Sequence, residues 1–245
     1  MSRLALALSP HLDDAAFSAG GTLARLADEG WEVVVATLFT ASVALPTGFA
    51  LACQTDKGLA PEVDYMALRR AEDAAACAVL GAQPVWLALR EAPHRGYHSA
   101  AALFGPPHAD DPAEREATAA IEPLMDLLRP SLLLAPQAIG GHVDHVLLVR
   151  ALRGLEVQVP VLWWRDFPYV ARTTTPAMPC AALLDGLPEA ALPGDAARKR
   201  AACAAYASQL GFQFGGKAGL ERALDAAGMA EVFRLQGNPP LARAA

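Results

Sequence analysis

The feature that most constrains the fold is an alternation of short apolar runs with long amphipathic stretches. The short runs, rich in aliphatic and β-branched residues, predict buried strands, and the stretches between them have helical periodicity. The predicted strands are Leu4–Leu8, Val33–Phe39, Pro84–Leu89, Leu132–Ala135, Val159–Trp164, a sixth over Ala181–Leu184 and an edge strand over Glu231–Leu235. The predicted helices are Asp14–Glu29, Glu62–Leu80, Ala113–Leu128, Val143–Arg153 and Asp195–Gln209.

Strands that alternate with helices predict an α/β fold, with a mostly parallel sheet and helices on both of its faces. The chain has 245 residues, of which 53% are hydrophobic. A chain of this length and composition buries a sizeable core without disulfides, and we expect residues 1–245 to form a single domain.

Composition also limits the partners and the compartment. The formal net charge is −6, which argues against nucleic acid and anionic membrane surfaces as partners, because both attract concentrated positive charge. The N-terminal apolar run is too short for a signal peptide, and no later run is long enough to span a bilayer. The four cysteines are widely spaced, which favours a reduced, cytoplasmic protein without a membrane anchor.

Two polar motifs directly follow predicted strands. The first is Ser9–Asp14 (SPHLDD) and the second is Gly140–His145 (GGHVDH). Helix capping explains one aspartate in each, but it does not explain two aspartates with a histidine, or two histidines around an aspartate. Because the carboxyl ends of parallel strands share one edge of a sheet, we expect both motifs to line one cleft.

These residue types suggest metal-assisted hydrolysis. Two imidazoles and one carboxylate with an open fourth position form a catalytic zinc site. A further carboxylate can take a proton from water, and a further histidine held by an aspartate can stabilise an oxyanion or protonate a leaving amine. The candidates for these parts are His11, Asp13, Asp14, His142, Asp144 and His145.

The two motifs resemble those of the PIG-L/LmbE-like family of metal-dependent N-deacetylases, which read roughly H-P-D-D-E and H-P-D-H. Leu12, Ala15 and Val143 stand where the family has two prolines and an acid. The likeness extends along most of the chain, through segments that resemble the family's R-x-x-E…LG helix, its late K…SQ segment and its closing strand. These segments are Arg69–Glu72 with Leu80-Gly81, Lys199 with Tyr206–Gln209, and Glu231–Arg234.

The resemblance implies a Rossmann-like fold and removal of the acetyl group from an N-acetylglucosamine-type sugar or its glycoside. Activated water would attack the amide carbonyl, with Zn²⁺ as the expected metal and Fe²⁺ or another divalent ion as the alternative. By motif position, the implied metal ligands are His11, Asp14 and His145. The implied general base is Asp13, and His142, oriented by Asp144, would stabilise the oxyanion.

Two long segments are expected to form the walls that select the substrate. Thr40–Pro61 and Arg90–Pro112 both follow predicted strands and so lie at the ligand-binding edge. Substrate contacts are predicted for four residues, one on a helix and three in the second segment: Arg69, His94, Arg95 and His98. The identity of the sugar and its aglycone, and the oligomeric state, stay open.

Two other classes of protein are compatible with part of this pattern. Two histidines and one carboxylate also form the facial triad of non-haem iron oxygenases, although that class favours an all-β jelly roll. A non-catalytic Rossmann-like binding module would purify without metal and would tolerate replacement of His11.

Overall fold

The computed structural model describes residues 3–155, 157–228 and 230–239, and these form one seven-stranded sheet flanked by helices. The strands are β1 Leu4–Ser9, β2 Glu32–Thr37, β3 Gln83–Trp86, β4 Leu132–Pro136, β5 Val161–Trp164, β6 Glu189–Leu192 and β7 Glu231–Gln236. The helices are α1 Asp14–Asp28, α2 Gly48–Thr55, α3 Tyr65–Leu80, α4 Ala100–Leu103, α5 Ala113–Leu128, α6 Val143–Gly154, α7 Tyr169–Arg172, α8 Ala196–Ala204, α9 Ala207–Phe214 and α10 Lys217–Ala227. Two short 3₁₀ turns cover Ala92–His94 and Ala181–Leu184.

The strand order is β3-β2-β1-β4-β5-β7-β6. The first five strands of that order pair in parallel, whereas β7 pairs antiparallel with both β5 and β6. The chain winds outwards from β1 in one direction through β2 and β3, and in the other through β4 and β5. The crevice between β1 and β4 is therefore the topological switch point, where open α/β sheets bind their ligands.

The predicted layers are confirmed, because β1 presents a different face to each layer of helices. Leu4, Leu6 and Leu8 pack with residues of α5 and α6, while Ala5 and Ala7 pack with residues of α1, α3 and α8. Burial on both faces explains the unbroken apolar run of this strand, which is typical of a central parallel strand.

Helix α1 approaches the chain ahead of α8 closely enough to require glycine. A Cβ added at Gly21 would lie 3.0 Å from the Gly194 Cα, and one added at Gly194 would lie 2.7 Å from the Gly21 carbonyl carbon. Glu231 accepts hydrogen bonds from the backbone N–H of Gly21 at 2.9 Å and of Thr22 at 2.7 Å. This contact fixes one face of α1, whose first residue, Asp14, belongs to the motif after β1.

Three predicted elements differ from the structure. Ala181–Leu184 is a 3₁₀ turn with three exposed residues, and the sixth strand lies later, at Glu189–Leu192. The strand at Glu231 is not an edge strand, because β7 lies between β5 and β6. The predicted helix Asp195–Gln209 is two helices. At the break between them, the hydroxyl of the buried Tyr206 donates a hydrogen bond to Asp73 Oδ1 at 2.8 Å.

The two long segments also contain helices, because α2 lies in the first and α4 in the second. Among the described residues, the structure holds no helix whose length and apolar character would allow it to cross a bilayer.

Candidate metal centre and active site

The two polar motifs meet at the switch point. The turn after β1 carries the first motif and the turn after β4 carries the second, and β1 and β4 are neighbours in the sheet. The ring centroids of His11 and His142 are 4.9 Å apart, and those of His11 and His145 are 5.3 Å apart. Residues more than 130 positions apart in the sequence therefore share one site, as the sequence predicts.

The turn after β1 uses neither aspartate to cap the helix that follows, although Asp14 Oδ2 accepts the backbone N–H of His11 at 2.8 Å. Ser9 Oγ, rather than an aspartate, accepts the N–H of Ala15 at 3.1 Å, and it donates to the carbonyl oxygen of His11 at 2.7 Å. Asp13 precedes α1 at a φ of 152° and makes no side-chain capping bond. A non-glycine residue with this φ is strained by about 1–3 kcal/mol, and such strain concentrates at functional sites. The capping explanation of this motif is therefore not supported.

Three ligand atoms converge on one point. Asp14 Oδ2 lies 3.3 Å from His11 Nδ1 and 3.2 Å from His145 Nε2. A ring nitrogen of each of His11, His142 and His145 also lies within 4.8 Å of the others. All three side chains around Asp14 Oδ2 are largely buried.

The groups behind the two histidines indicate which nitrogen of each ring is available to a metal. His11 Nε2 lies 2.9 Å from Asp144 Oδ2, and His145 Nδ1 lies 2.8 Å from Asp166 Oδ1. Because a carboxylate accepts hydrogen bonds, these two nitrogens carry protons, and in the neutral form of each ring that binds a metal the lone pairs of His11 Nδ1 and His145 Nε2 face Asp14. His145 Nε2 is buried with no hydrogen-bond partner in the described chain.

A cation satisfies this arrangement. Burial lowers the pKa of His145, but the carboxylates of Asp14 and Asp166 outweigh burial and raise it to about 9. The site therefore stabilises positive charge where three donor atoms meet. Two imidazole nitrogens, of which the His145 Nε2 is orphaned and buried, and one carboxylate oxygen fit a divalent metal with the ligand set His11, Asp14 and His145.

Each ligand histidine is held from behind by a carboxylate, as in many metal sites. Asp166 Oδ2 also accepts the backbone N–H of Gln137 at 3.1 Å and of Ile139 at 2.9 Å, which fixes the carboxylate behind His145. Sequence reasoning missed Asp166. It follows β5 directly, and the rule that singled out the two motifs could have found it.

Asp144 contacts a different histidine from the one that the family resemblance implies. Its carboxylate lies against His11 Nε2 and accepts hydrogen bonds from Arg95 Nη2 at 2.6 Å and from the Ala92 N–H at 3.1 Å. Its backbone N–H, not its carboxylate, donates to His142 Nδ1, at 3.3 Å. Because α6 begins directly after His142, the turn aims the Asp144 side chain at the first motif.

His142 is a neutral hydrogen-bond donor in this geometry. Its Nδ1 accepts from the backbone, so its proton lies on Nε2. Burial, reinforced by the neighbouring His11, lowers the pKa of His142 to about 3. A neutral imidazole with its N–H beside the ligand cluster suits stabilisation of a developing oxyanion.

Asp13 lies beside the ligands and is held by two side chains. Its Oδ1 is 3.3 Å from Arg69 Nη2, and its Oδ2 accepts from Gln213 Nε2 at 3.1 Å. Burial raises the pKa of Asp13 to about 7, against the lowering effect of Arg69. A carboxylate with a raised pKa is suited to general acid–base chemistry near neutral pH. Gln213 was not singled out from the sequence.

The four predicted substrate residues occupy different environments. Arg69 lines the cavity above the ligands, but its guanidinium also bonds to Glu91 at 2.9 Å and to the Leu12 carbonyl oxygen at 2.8 Å. Arg95 is bonded to Asp111 and Asp144. His94 lines a smaller neighbouring cavity, and His98 is exposed and lines neither of these two cavities.

A cavity of about 370 Å³ opens above the ligand cluster. Both long segments contribute to its walls, as predicted, through residues that include Phe49 and Lys57 of the first and Leu103 and Phe104 of the second. Sequence reasoning missed the other walls, which come from the start of α3, from α7 with the residue before it, and from α9. These residues are Tyr65, Pro168, Tyr169, Arg172, Gln209, Phe212 and Gln213.

The chain is similar to a known family of deacetylases. Residues 6–155 match the family described as PIG-L, GlcNAc-PI de-N-acetylase, and this match covers more than half of the chain. The chain belongs to the PIG-L family. The sequence is 34% identical over 170 residues to a 2'-N-acetylparomamine deacetylase of Streptomyces fradiae, a match that covers 68% of this chain. It spans 58% and 66% of the lengths of the curated relatives it matches.

Solved PIG-L-type structures match over almost the whole chain. The zinc-inhibited form of teicoplanin deacetylase Orf2 has a TM-score of 0.82 and 26% identity, covering 97% of this chain and 99% of that one. The A40926 pseudoaglycone deacetylase Dbv21 has a TM-score of 0.79 and 30% identity, covering 96% of this chain and 97% of that one. The Rossmann-like fold that the resemblance implies is confirmed.

The other segments that resemble the PIG-L family are joined by buried and partly buried hydrogen bonds. Glu72 accepts hydrogen bonds from the backbone N–H and the hydroxyl of Ser208, both at 2.7 Å. Lys199 Nζ donates to Glu231 Oε1 at 2.7 Å. The R-x-x-E helix, the K…SQ segment and the closing strand thus hold one another beside the cavity.

Proposed function

We propose that this PIG-L family protein is a metal-dependent N-deacetylase that hydrolyses the acetamide of an N-acetylglucosamine-type sugar or its glycoside. The observation that carries the proposal is the convergence of His11 Nδ1 and His145 Nε2 on Asp14 Oδ2, with Asp13 and His142 lining the cavity that His11 and Asp14 also line. The fold, the family and the named relatives support it. The proposed partner is a small N-acetylated sugar.

The proposed metal ligands are His11, Asp14 and His145, and the donor set suits Zn²⁺ as well as Fe²⁺. A divalent metal, when bound, would polarise the amide carbonyl and lower the pKa of the attacking water. We propose Zn²⁺ as the metal.

The protein's own side chains carry the proton transfers. Asp13, held by Arg69 and Gln213, takes a proton from the attacking water. The Nε2–H of His142 donates to the oxygen that becomes negative as the carbonyl carbon turns tetrahedral. The C–N bond then breaks, and the amine nitrogen receives a proton from Asp13 or from His142, leaving acetate and the free amino sugar.

An iron oxygenase has the same three donors but a different expected fold, and the parallel α/β sheet with PIG-L relatives favours hydrolysis. The non-catalytic binding module does not account for Asp13 and His142 beside the donor cluster. We further propose that residues 1–245 act as one domain. The cytoplasmic location stays a prediction.

The direct test is hydrolysis of N-acetylglucosaminides with varied aglycones, followed by release of free amine and acetate. We expect release by metal-loaded protein, loss with a chelator, and recovery when Zn²⁺ is restored. Consumption of oxygen with an oxoacid co-substrate would favour the oxygenase. Absence of amine release across the panel from protein with full metal occupancy would contradict the proposal.

A further inference from the structure

The mouth of the cavity differs chemically from its floor. The floor carries His11, His142 and the aspartates of the two motifs, whereas the mouth carries three phenylalanines, Phe49, Phe104 and Phe212. Phe104 is 43% exposed and Phe212 is 61% exposed. Apolar surface left in water lowers stability by roughly 25 cal/mol per Å² relative to burial. Exposed aromatic rings around a ligand cavity therefore indicate a surface that a ligand covers.

One wall of the mouth is continuous with the catalytic histidines. The ring centroid of Phe104 lies 5.4 Å from that of His142, in a T-shaped contact, and 5.8 Å from that of Tyr169. The Tyr169 centroid in turn lies 5.5 Å from that of His145. Gly140 permits this approach, since a Cβ there would lie 2.7 Å from the Tyr169 Cβ. A group that leaves the floor on this side meets an aromatic surface.

The opposite wall is tied to Asp13. Lys57 Nζ lies 4.9 Å from the centre of the Phe212 ring and 5.2 Å from that of Tyr65. The residue after Phe212 is Gln213, which donates to Asp13 Oδ2 at 3.1 Å. Phe212 is thus placed beside the reacting region by the same helix that holds the proposed base.

The mouth carries more positive than negative side chains. Two cations line it, Lys57 over Phe212 and Arg172 over Tyr169, and Asp56 is the carboxylate that lines it beside them. The other lining carboxylates lie deeper, and Glu91 among them is paired with Arg69 at 2.9 Å. This excess of positive charge at the mouth disfavours a polycationic aglycone there, whereas the ring faces favour an apolar aromatic group.

We propose that this mouth is an aglycone subsite for an apolar, aromatic group carried by the N-acetylated sugar. The inference rests on the proposed deacetylation and adds the substrate class. Phe104 and Phe212 are the specificity-determining residues. The sugar occupies the floor, and the aglycone lies between the two aromatic walls.

The test compares three substrates: free N-acetylglucosamine, its 4-nitrophenyl β-glycoside, and an N-acetylglucosaminide whose aglycone is a diamino-cyclitol. The selectivity ratio is kcat/KM for the aryl glycoside divided by kcat/KM for the free sugar. We expect a ratio of about 5 to 30, which corresponds to aromatic contacts of about 1–2 kcal/mol. The cationic glycoside should react more slowly than the aryl glycoside.

Two variants and one control locate the effect. Phe104→Ala and Phe212→Ala should each lower the selectivity ratio several-fold, mainly through KM for the aryl glycoside. The ratio corrects for any general loss of activity in the variants. Leu127→Ala is the matched control, because Leu127 is 77% exposed on α5 and does not line the cavity. It should leave both the ratio and the activity unchanged.

Binding of the 4-nitrophenyl glycoside, measured by calorimetry with metal-loaded protein, separates this inference from the proposed function. Binding that both phenylalanine variants weaken, without amine release, would keep the subsite and contradict deacetylation. Three outcomes would keep deacetylation and overturn the subsite. They are hydrolysis with a wild-type selectivity ratio near one, a selectivity ratio that neither variant changes, and a preference for the cationic glycoside. Neither binding nor hydrolysis would overturn both.

Discussion

At the residue scale, the chemistry of this site depends on which side chain caps the helix after β1. Ser9 accepts the N–H of Ala15 that an aspartate would otherwise cap. Asp13 then lines the cavity, and Asp14 Oδ2, which also accepts the His11 N–H, meets the two ligand histidines. A motif that resembles an ordinary helix start thereby supplies a base and a metal ligand.

Replacement of Asp13 by asparagine should keep the metal and remove most of the activity. The amide has nearly the same shape as the carboxylate and can still contact Arg69, but it cannot accept the proton of water. We expect kcat to fall about 10²–10⁴-fold, with metal content measured on the same preparation. A wild-type kcat in Asp13→Asn with full metal occupancy would remove Asp13 as the base.

Replacement of Asp166 by asparagine should weaken metal binding without removing a ligand. Asp166 fixes the orientation and tautomer of His145 through the 2.8 Å contact. Loss of such a partner typically weakens metal affinity about 10–100-fold. Competition with a chromogenic chelator measures this, with the exposed Asp185→Asn as the control. Equal affinities in the two variants would show that Asp166 does not position the ligand.

At the scale of elements, the site depends on how helix α1 is seated. Its first residue is a proposed metal ligand, and its middle rests against the backbone at Gly194. Glu231, paired with Lys199, accepts the N–H groups of Gly21 and Thr22 from within the helix. The closing strand therefore holds the helix that carries the first motif.

Gly21→Ala should destabilise the protein, whereas Gly211→Ala should not. The added Cβ at Gly21 would lie 3.0 Å from the Gly194 Cα, against backbone that cannot give way easily, while the Cβ at Gly211 meets nothing within 4 Å. We expect a loss of about 1–3 kcal/mol in the free energy of unfolding for Gly21→Ala. For Gly211→Ala, a gain of up to about 1 kcal/mol follows from helix propensity. Urea denaturation measures both, and equal stabilities would contradict this packing argument.

At the scale of the whole molecule, the proposed metal joins two halves of the sheet. Two ligands follow β1 and the third lies on α6 after β4, on the two sides of the switch point. Because the unfolded chain does not hold these ligands together, metal binding stabilises the folded state.

Addition of Zn²⁺ should therefore raise the Tm of the metal-free protein. At a free concentration 100-fold above Kd, the stabilisation is about 2.7 kcal/mol, which corresponds to a rise of roughly 5–10 °C for a chain of this size. His145→Ala should lose most of this rise along with its bound metal. The same rise in His145→Ala would contradict the ligand assignment.

Local pattern in the sequence was sufficient for the sheet, its helices and the two motifs. The period of the apolar residues distinguishes strands from helices, and strand alternation with helices places both motifs at one edge. Pattern was insufficient at the C-terminal end, where β6 is short and half-exposed and where the buried Tyr206 ends a helix that periodicity would continue. Those elements are set by contacts with distant residues.

The sequence by itself determined the residue types of the site, because the chemistry of imidazoles and carboxylates does not depend on the fold. Tertiary structure decided which group serves which. The Asp144 carboxylate contacts His11 rather than His142, and Asp166 lies behind His145. Arg95 donates a hydrogen bond to Asp144 instead of pointing to a substrate. Tertiary structure also built the aromatic mouth from segments far apart in the chain. The physical reason is that hydrogen-bond partners are chosen by distance and direction between side chains, which spacing along the chain does not specify.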